Sequence, residues 1–152
     1  MKLSTKSEYG LRAMLNIAKN GSRSATSITD ISKEEGISVA YLEQLLNKLR
    51  RERLIESIRG PKGGYILSKD TRSITVGDIV TALEGSIYPI HCIATHNGAP
   101  DTCKKSKGCV PKTVWMRLAK AVNDCLESIT LSDLCAEAKK KEEAPPSFCC
   151  NT

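Results

Sequence analysis

The stretch from Ser38 to Leu67, SVAYLEQLLNKLRRERLIESIRGPKGGYIL, constrains the fold more than any other part of the chain. Its first half repeats apolar residues at helical spacing: Tyr41, Leu42, Leu45, Leu46 and Leu49 form one stripe. Ala40, Glu43, Gln44, Asn47, Lys48 and Arg51 fall on the other side, and Ser38 stands where an N-cap is needed. Its second half holds two short β-type runs, Leu54 to Ile58 and Tyr65 to Leu67, around a Gly- and Pro-rich turn carrying Arg59 and Lys62. Immediately upstream, ATSITDISKEEG supplies Thr26 or Ser27 as an N-cap, Ile28 and Ile31 as a buried face, and Gly36 as a C-terminal stop. A short helix, a tight turn, a polar-faced helix and a hairpin make a winged helix-turn-helix pattern.

The flanking segments extend this unit. Leu11, Met14, Leu15 and Ala18 recur at helical spacing, and Thr5-x-x-Glu8 has the form of a capping box, so a first helix begins near Thr5. Thr75-x-x-Asp78, with Ile74 and Ile79 as a hydrophobic staple, starts a further helix that Gly85 ends. From Pro111 a long helix carries Trp115, Leu118, Val122, Cys125, Leu126 and Ile129 at heptad-like spacing. That stripe exceeds what a small winged domain needs to bury, so it predicts dimerisation. Thr130 caps a short last helix, LSDLCAEA. The expected organisation is a winged helix-turn-helix domain over 1–84, a cysteine-bearing loop over 85–110, a dimerisation helix and short C-terminal helix over 111–138, and a disordered tail over 139–152. The fold class is mainly α with a small β hairpin, and 152 residues leave no room for two large domains.

A net charge of +6 favours an acidic partner surface, nucleic acid foremost. Six basic and two acidic residues lie between Lys48 and Lys62, on the end of the second helix and on the wing. Lys48, Arg50, Arg51 and Lys62 are placed to meet phosphates, which adds affinity without reading sequence. Ser38, Ala40 and Tyr41 open the recognition helix. Glu43 is more informative, because a carboxylate facing a polyanion is unfavourable unless a base donates to it, and cytosine N4 is the usual donor. Gln44 is suited to adenine, and Arg59, beside Gly60 and Pro61, to a minor groove. The bland alternative, in which these charges solvate a helix face, stays open.

His91 to Cys109, HCIATHNGAPDTCKKSKGC, is the anomalous segment. Ten residues separate Cys92 from Cys103 and five separate Cys103 from Cys109, without any CxxC spacing. Three soft thiolates still suit a thiophilic centre, either zinc or an iron-sulphur cluster. Lys104, Lys105 and Lys107 would lower thiol pKa and offset the charge of a thiolate-bound centre. For a fourth ligand the candidates are Glu8, His96 and His91, the last disfavoured because it adjoins Cys92. Cys125 and Cys135 sit on apolar faces and read as packed thiols.

With these residues in view, SEYGLRAML, ISVAYLEQLLNKLRRERLIESIRGPKGGY, ITVGDIVTALEG, the cysteine segment and VWMRLAKAVNDCLESITLSDL resemble the IscR-type iron-sulphur-sensing winged-helix regulators, over residues 1 to about 138. The resemblance implies a homodimeric transcription factor, mostly a repressor, that responds to iron-sulphur status, oxygen or nitric oxide. It implies Cys92, Cys103 and Cys109 as cluster ligands beside one non-cysteine ligand. It places Tyr41, Glu43, Gln44 and Arg59 at the recognition helix and wing, and Pro111 to Ile129 at the dimer interface. Two features depart from the pattern. The gap after Cys92 is longer than in the best-known members, and Lys112 stands where some supply a histidine. A nitric-oxide-sensing branch takes an acidic ligand from the partner's first helix, where Glu8 matches. Both 2Fe-2S and 4Fe-4S are compatible, with 2Fe-2S favoured by the resemblance. A branch regulating cysteine metabolism lacks the cysteine trio.

The partners expected are double-stranded DNA with a pseudo-palindromic operator and a second copy of the chain. The N-terminus has no apolar h-region and the chain no 18-residue apolar run, so a membrane role is unsupported and a cytoplasmic location expected. The rival from another class is a winged-helix interaction module with structural zinc. An enzyme is not indicated, since no nucleophile-base pair, catalytic carboxylate pair or phosphate-cradling loop is evident.

Overall fold

The computed structural model describes residues 4–21, 24–85 and 109–143. Among these residues the elements follow in chain order: α1 Thr5–Lys19, α2 Ile28–Glu35, α3 Val39–Arg51, β1 Ile55–Ile58, β2 Gly64–Leu67, a 3-10 turn at Thr71–Ser73, α4 Val76–Glu84, α5 Val110–Ser128 and α6 Leu131–Glu143. The strands pair antiparallel, Ile55 opposite Leu67 and Ile58 opposite Gly64. This is the mainly helical fold with a small hairpin that the sequence predicts.

α1 runs through the middle of the molecule and packs against α2, α3, α4, α6 and β2. Ser7, Gly10, Ala13, Met14, Asn16, Ile17 and Ala18 are buried, a wider face than the Leu11–Met14–Leu15–Ala18 stripe suggests. α1 starts where expected, but not through a Thr5–Glu8 capping box. Ser4 is the N-cap and accepts from Lys6 N–H at 3.2 Å, which places Thr5 inside the first turn and leaves Glu8 free to meet Arg12 at 3.0 Å. α2 follows the expectation: Ser27 accepts from Asp30 N–H, and Gly36 closes the helix in the left-handed region at φ 66°. On α3, Leu42, Leu45, Leu46 and Leu49 are all buried in the core with Ile31, Ile37, Leu54 and Ile55.

Local chemistry also builds the joints. Thr75 and Asp78 form the full capping box of α4, and Ile74 and Ile79 on either side of it are wholly buried. Thr26 exchanges both backbone hydrogen bonds with Tyr65 at 2.9 Å, which seats the hairpin on the segment before α2. A Cβ on Gly64 would collide with the Thr26 carbonyl, so glycine permits that approach. Val76 N–H to Ile129 O (2.9 Å) and Leu131 N–H to Ile74 O (2.8 Å) fasten the α5–α6 joint to the start of α4.

α6 departs from the expected short helix. Thr130 and Asp133 cap it reciprocally, as anticipated, but it continues to Glu143, five residues into the segment read as a disordered tail. The run KKKEE is helical here because α6 lies on α1, with Lys19 and Glu142 paired at 2.9 Å. Among the described residues no helix is long and apolar enough to cross a membrane.

Candidate nucleic-acid interface and cysteine site

The polar side of α3 stands clear of the core. Ala40, Glu43, Gln44, Asn47, Lys48, Arg50 and Arg51 are exposed, as are Arg59, Gly60, Pro61 and Lys62 at the tip of the hairpin. The hairpin turn is closed by Gly63 N–H donating to Gly60 O at 2.9 Å. Arg50 reaches from α3 to the Ser57 hydroxyl of β1 at 3.4 Å, so helix and wing form one continuous surface. Glu43 and Gln44 lie on its exposed face, where base contacts would require them.

Ser38 caps α3 as expected, whereas Tyr41 and Lys48 are engaged in ways the sequence does not reveal. Ser38 spends its hydroxyl on the cap, accepting from Tyr41 N–H at 3.4 Å. Tyr41 is half-buried in the seam with α1, edge-on to Tyr9 with ring centroids 6.0 Å apart at 89°. Arg12 lies over the Tyr9 ring at 5.9 Å while it pairs with Glu8. Lys48, expected on phosphate, donates from Nζ to the Leu83 carbonyl of α4 at 3.1 Å. One cation was missed. Arg53, exposed just beyond α3, holds φ 57° and closes the helix with Arg53 N–H to Arg50 O and Leu54 N–H to Leu49 O, both at 3.0 Å. Its place in the run RRER is the signal that would have included it.

Of the proposed metal ligands, Cys109 and Glu8 are described, while Cys92, Cys103, His91 and His96 lie outside the described residues. Cys109 is the N-cap residue of α5, half-buried, in no disulfide and with its side chain making no cap hydrogen bond. A thiol without a hydrogen-bond partner in the cap is a soft donor, so this position fits a soft metal centre. Glu8 is exposed on the first turn of α1 and would leave Arg12 to serve as a ligand. No group of three metal-binding side chains occurs among the described residues.

On α5 only Ala119 is buried. Trp115 (36% exposed), Leu118 (41%), Val114 (59%) and Met116 (52%) face outward, while Val122, Leu126 and Ile129 are half-buried. Cys125, expected to be packed, is exposed. Cys135 does pack on the core, and burial pushes its thiol pKa up despite nearby Lys139 and Lys19. It opens on a crevice of about 530 Å³ between α1, α6 and β2 that none of the expected site residues lines.

A recognition helix with its wing, a basic exposed face and a half-open apolar helix define a winged helix-turn-helix transcriptional regulator, and comparison with known proteins agrees. The family described as Rrf2, iron-dependent transcriptional regulator, matches residues 3–137, and the chain belongs to that family. It is 37% identical over 134 residues to the HTH-type transcriptional regulator IscR of Yersinia pseudotuberculosis serotype O:1b (strain IP 31758), covering 88% of this chain and 79% of that protein. It superimposes on CymR, the global cysteine regulator of B. subtilis, with a TM-score of 0.76 and 36% identity over 90% of this chain and 98% of that one. With IscR of T. potens the TM-score is 0.73 and the identity 35%, over 95% and 93% of the two chains. The chain is thus an IscR-like transcriptional regulator, in a family of regulators and not of enzymes.

Proposed function

We propose that the protein is a homodimeric repressor that binds a pseudo-palindromic DNA operator and senses iron-sulphur status, oxygen or nitric oxide through a bound iron-sulphur cluster. The observation that carries the reading is the union, in one chain, of an exposed recognition helix and wing with the trio Cys92, Cys103 and Cys109. The trio separates it from the cysteine-metabolism regulators of the same fold, and the IscR relatives support the cluster.

In this reading Glu43 accepts from cytosine N4, Gln44 contacts adenine, Arg51, Arg53 and Lys62 hold phosphates, and Arg59 enters a minor groove. The exposed face of α5, with Trp115 and Leu118, meets the same face of a second copy. That two-fold pairing sets two recognition helices in successive major grooves, about 34–36 Å apart or a multiple. Cys109 is held at the start of α5, and Glu8, offered from α1, completes the ligand set of its own or the partner's centre. When bound, the cluster supplies an oxygen- or nitric-oxide-labile iron centre, of the 2Fe-2S type by the favoured reading.

The test is the visible absorption spectrum of protein prepared without oxygen, with iron, acid-labile sulphide and zinc analysis, beside DNA binding with and without reconstitution. A coloured protein with iron and sulphide, whose operator affinity changes when Cys92, Cys103 and Cys109 become alanine, is expected. Colourless protein with stoichiometric zinc would instead establish the structural-zinc module. Protein that takes up no metal would leave a regulator closer in kind to CymR.

A further inference from the structure

The last turn of α4 touches two other helices through two adjacent residues. The Leu83 carbonyl accepts from Lys48 Nζ of α3 at 3.1 Å. The Leu83 side chain, 2% exposed, fills the space beside Gly10 of α1, where a Cβ would overlap it. Next to it, Glu84 Oε1 accepts from Ser4 N–H at 3.0 Å, from the Ser7 hydroxyl at 2.7 Å and from the Ser4 hydroxyl. The charges suit the helix ends they meet. A C-terminal carbonyl has no partner within its own helix and sits at the negative end of the dipole, where an ammonium is favourable; Glu84 lies at the positive end of α1.

We infer that this turn seats the recognition helix, with Lys48 and Glu84 as positioning residues, and that Lys48 is not a phosphate contact. The inference rests on the DNA-binding reading above. Lys48 lies one helical turn beyond Gln44, so fixing its ammonium to α4 fixes where that edge of α3 stands in a groove. The buried leucines set which face of α3 looks outward, and the Lys48 contact ties its exposed edge to α4. α4 also leads along the chain toward the cysteines, so a displacement of its last turn passes to α3 through Lys48 and to α1 through Glu84.

Salt dependence separates positioning from phosphate contact. Full-length protein is titrated with a duplex that the wild type selects from a randomised pool, and with an unrelated duplex, over a range of salt. Arg51→Met, which removes a cation assigned to phosphate, lowers the salt slope by about one and weakens both duplexes alike. Lys48→Met keeps the slope of the wild type but loses about two- to thirtyfold in affinity for the selected duplex alone. Lys48→Arg restores it, because a guanidinium also reaches the carbonyl. Glu84→Gln, which leaves α3 chemically untouched, repeats the selective loss and serves if Lys48→Met does not fold. A slope reduced by about one in Lys48→Met, with both duplexes equally weakened, overturns the inference. So does wild-type selectivity in folded Lys48→Met and Glu84→Gln. Wild-type protein that selects no sequence would refute the DNA-binding reading itself, a separate result.

Discussion

Replacing Arg53 by glycine should make the protein more stable while weakening its hold on DNA. The exit of α3 has the double hydrogen-bond pattern of a Schellman cap, with Arg53 at the left-handed position that glycine ordinarily fills. The pattern returns buried Leu54 to the core beside Leu49. A non-glycine residue in this conformation costs about 1–2 kcal/mol, and glycine gives back about 0.5–1 kcal/mol through the freedom it adds to the unfolded chain. The Arg53 side chain has no hydrogen bond or ion pair among the described residues, so little folded-state interaction is lost. The net expectation is stabilisation by about 0.5–1 kcal/mol, a rise in Tm of about 1–4 °C for a chain of this size. Arg53→Ala removes the same charge and keeps the strain, so the comparison isolates the backbone. Both variants should lower affinity for all DNA sequences equally and reduce the salt slope by about one. Thermal and urea unfolding of the two variants decide the matter: if glycine is no more stable than alanine, the strain argument is wrong.

Three other perturbations test the packing, the carboxylate and the open helix. Gly10→Ala drives a methyl into buried Leu83, and overpacking of about 1–3 kcal/mol outweighs alanine's helix preference of about 1 kcal/mol, leaving a net loss of up to about 2 kcal/mol in urea unfolding. Burial pushes the Glu84 pKa up, but the hydrogen bonds from Ser4 and Ser7 more than offset it, so its carboxyl is held below the ordinary value. A lowered folded-state pKa contributes stability above the unfolded value and loses it as pH falls through the folded one, so Glu84→Gln should be less stable near neutrality and lose less on acidification. Leu118→Glu sets a charge in the exposed α5 face and should shift sedimentation from dimer to monomer, whereas an unchanged sedimentation coefficient would place the interface elsewhere.

What the sequence makes legible here is what neighbouring residues decide. The Leu42–Leu45–Leu46–Leu49 stripe, the Thr75–Asp78 box, the Ile74–Ile79 staple and the left-handed stop at Gly36 each need only a few adjacent side chains, and each is present as expected. The departures come from partners far along the chain. Ser4 displaces the Thr5–Glu8 box while Glu84, eighty positions away, engages both Ser4 and Ser7. α6 continues through KKKEE because α1 lies beneath it and Lys19 waits for Glu142, a contact that composition cannot distinguish from a solvated tail.

The same division runs through the candidate site. A charge run shows that cations gather at the end of α3, but only the packing says which of them have a polar acceptor inside the protein. Lys48 and Arg51 look interchangeable in sequence, three residues apart on one exposed side. Lys48 finds the bare carbonyl end of α4, whereas the Arg51 side chain makes no hydrogen bond among the described residues. On the proposed reading the recognition surface has two kinds of basic residue: those that meet DNA, and one that determines where the others stand. Their substitutions should therefore separate in selectivity and salt dependence, although both alter the same net charge by the same amount.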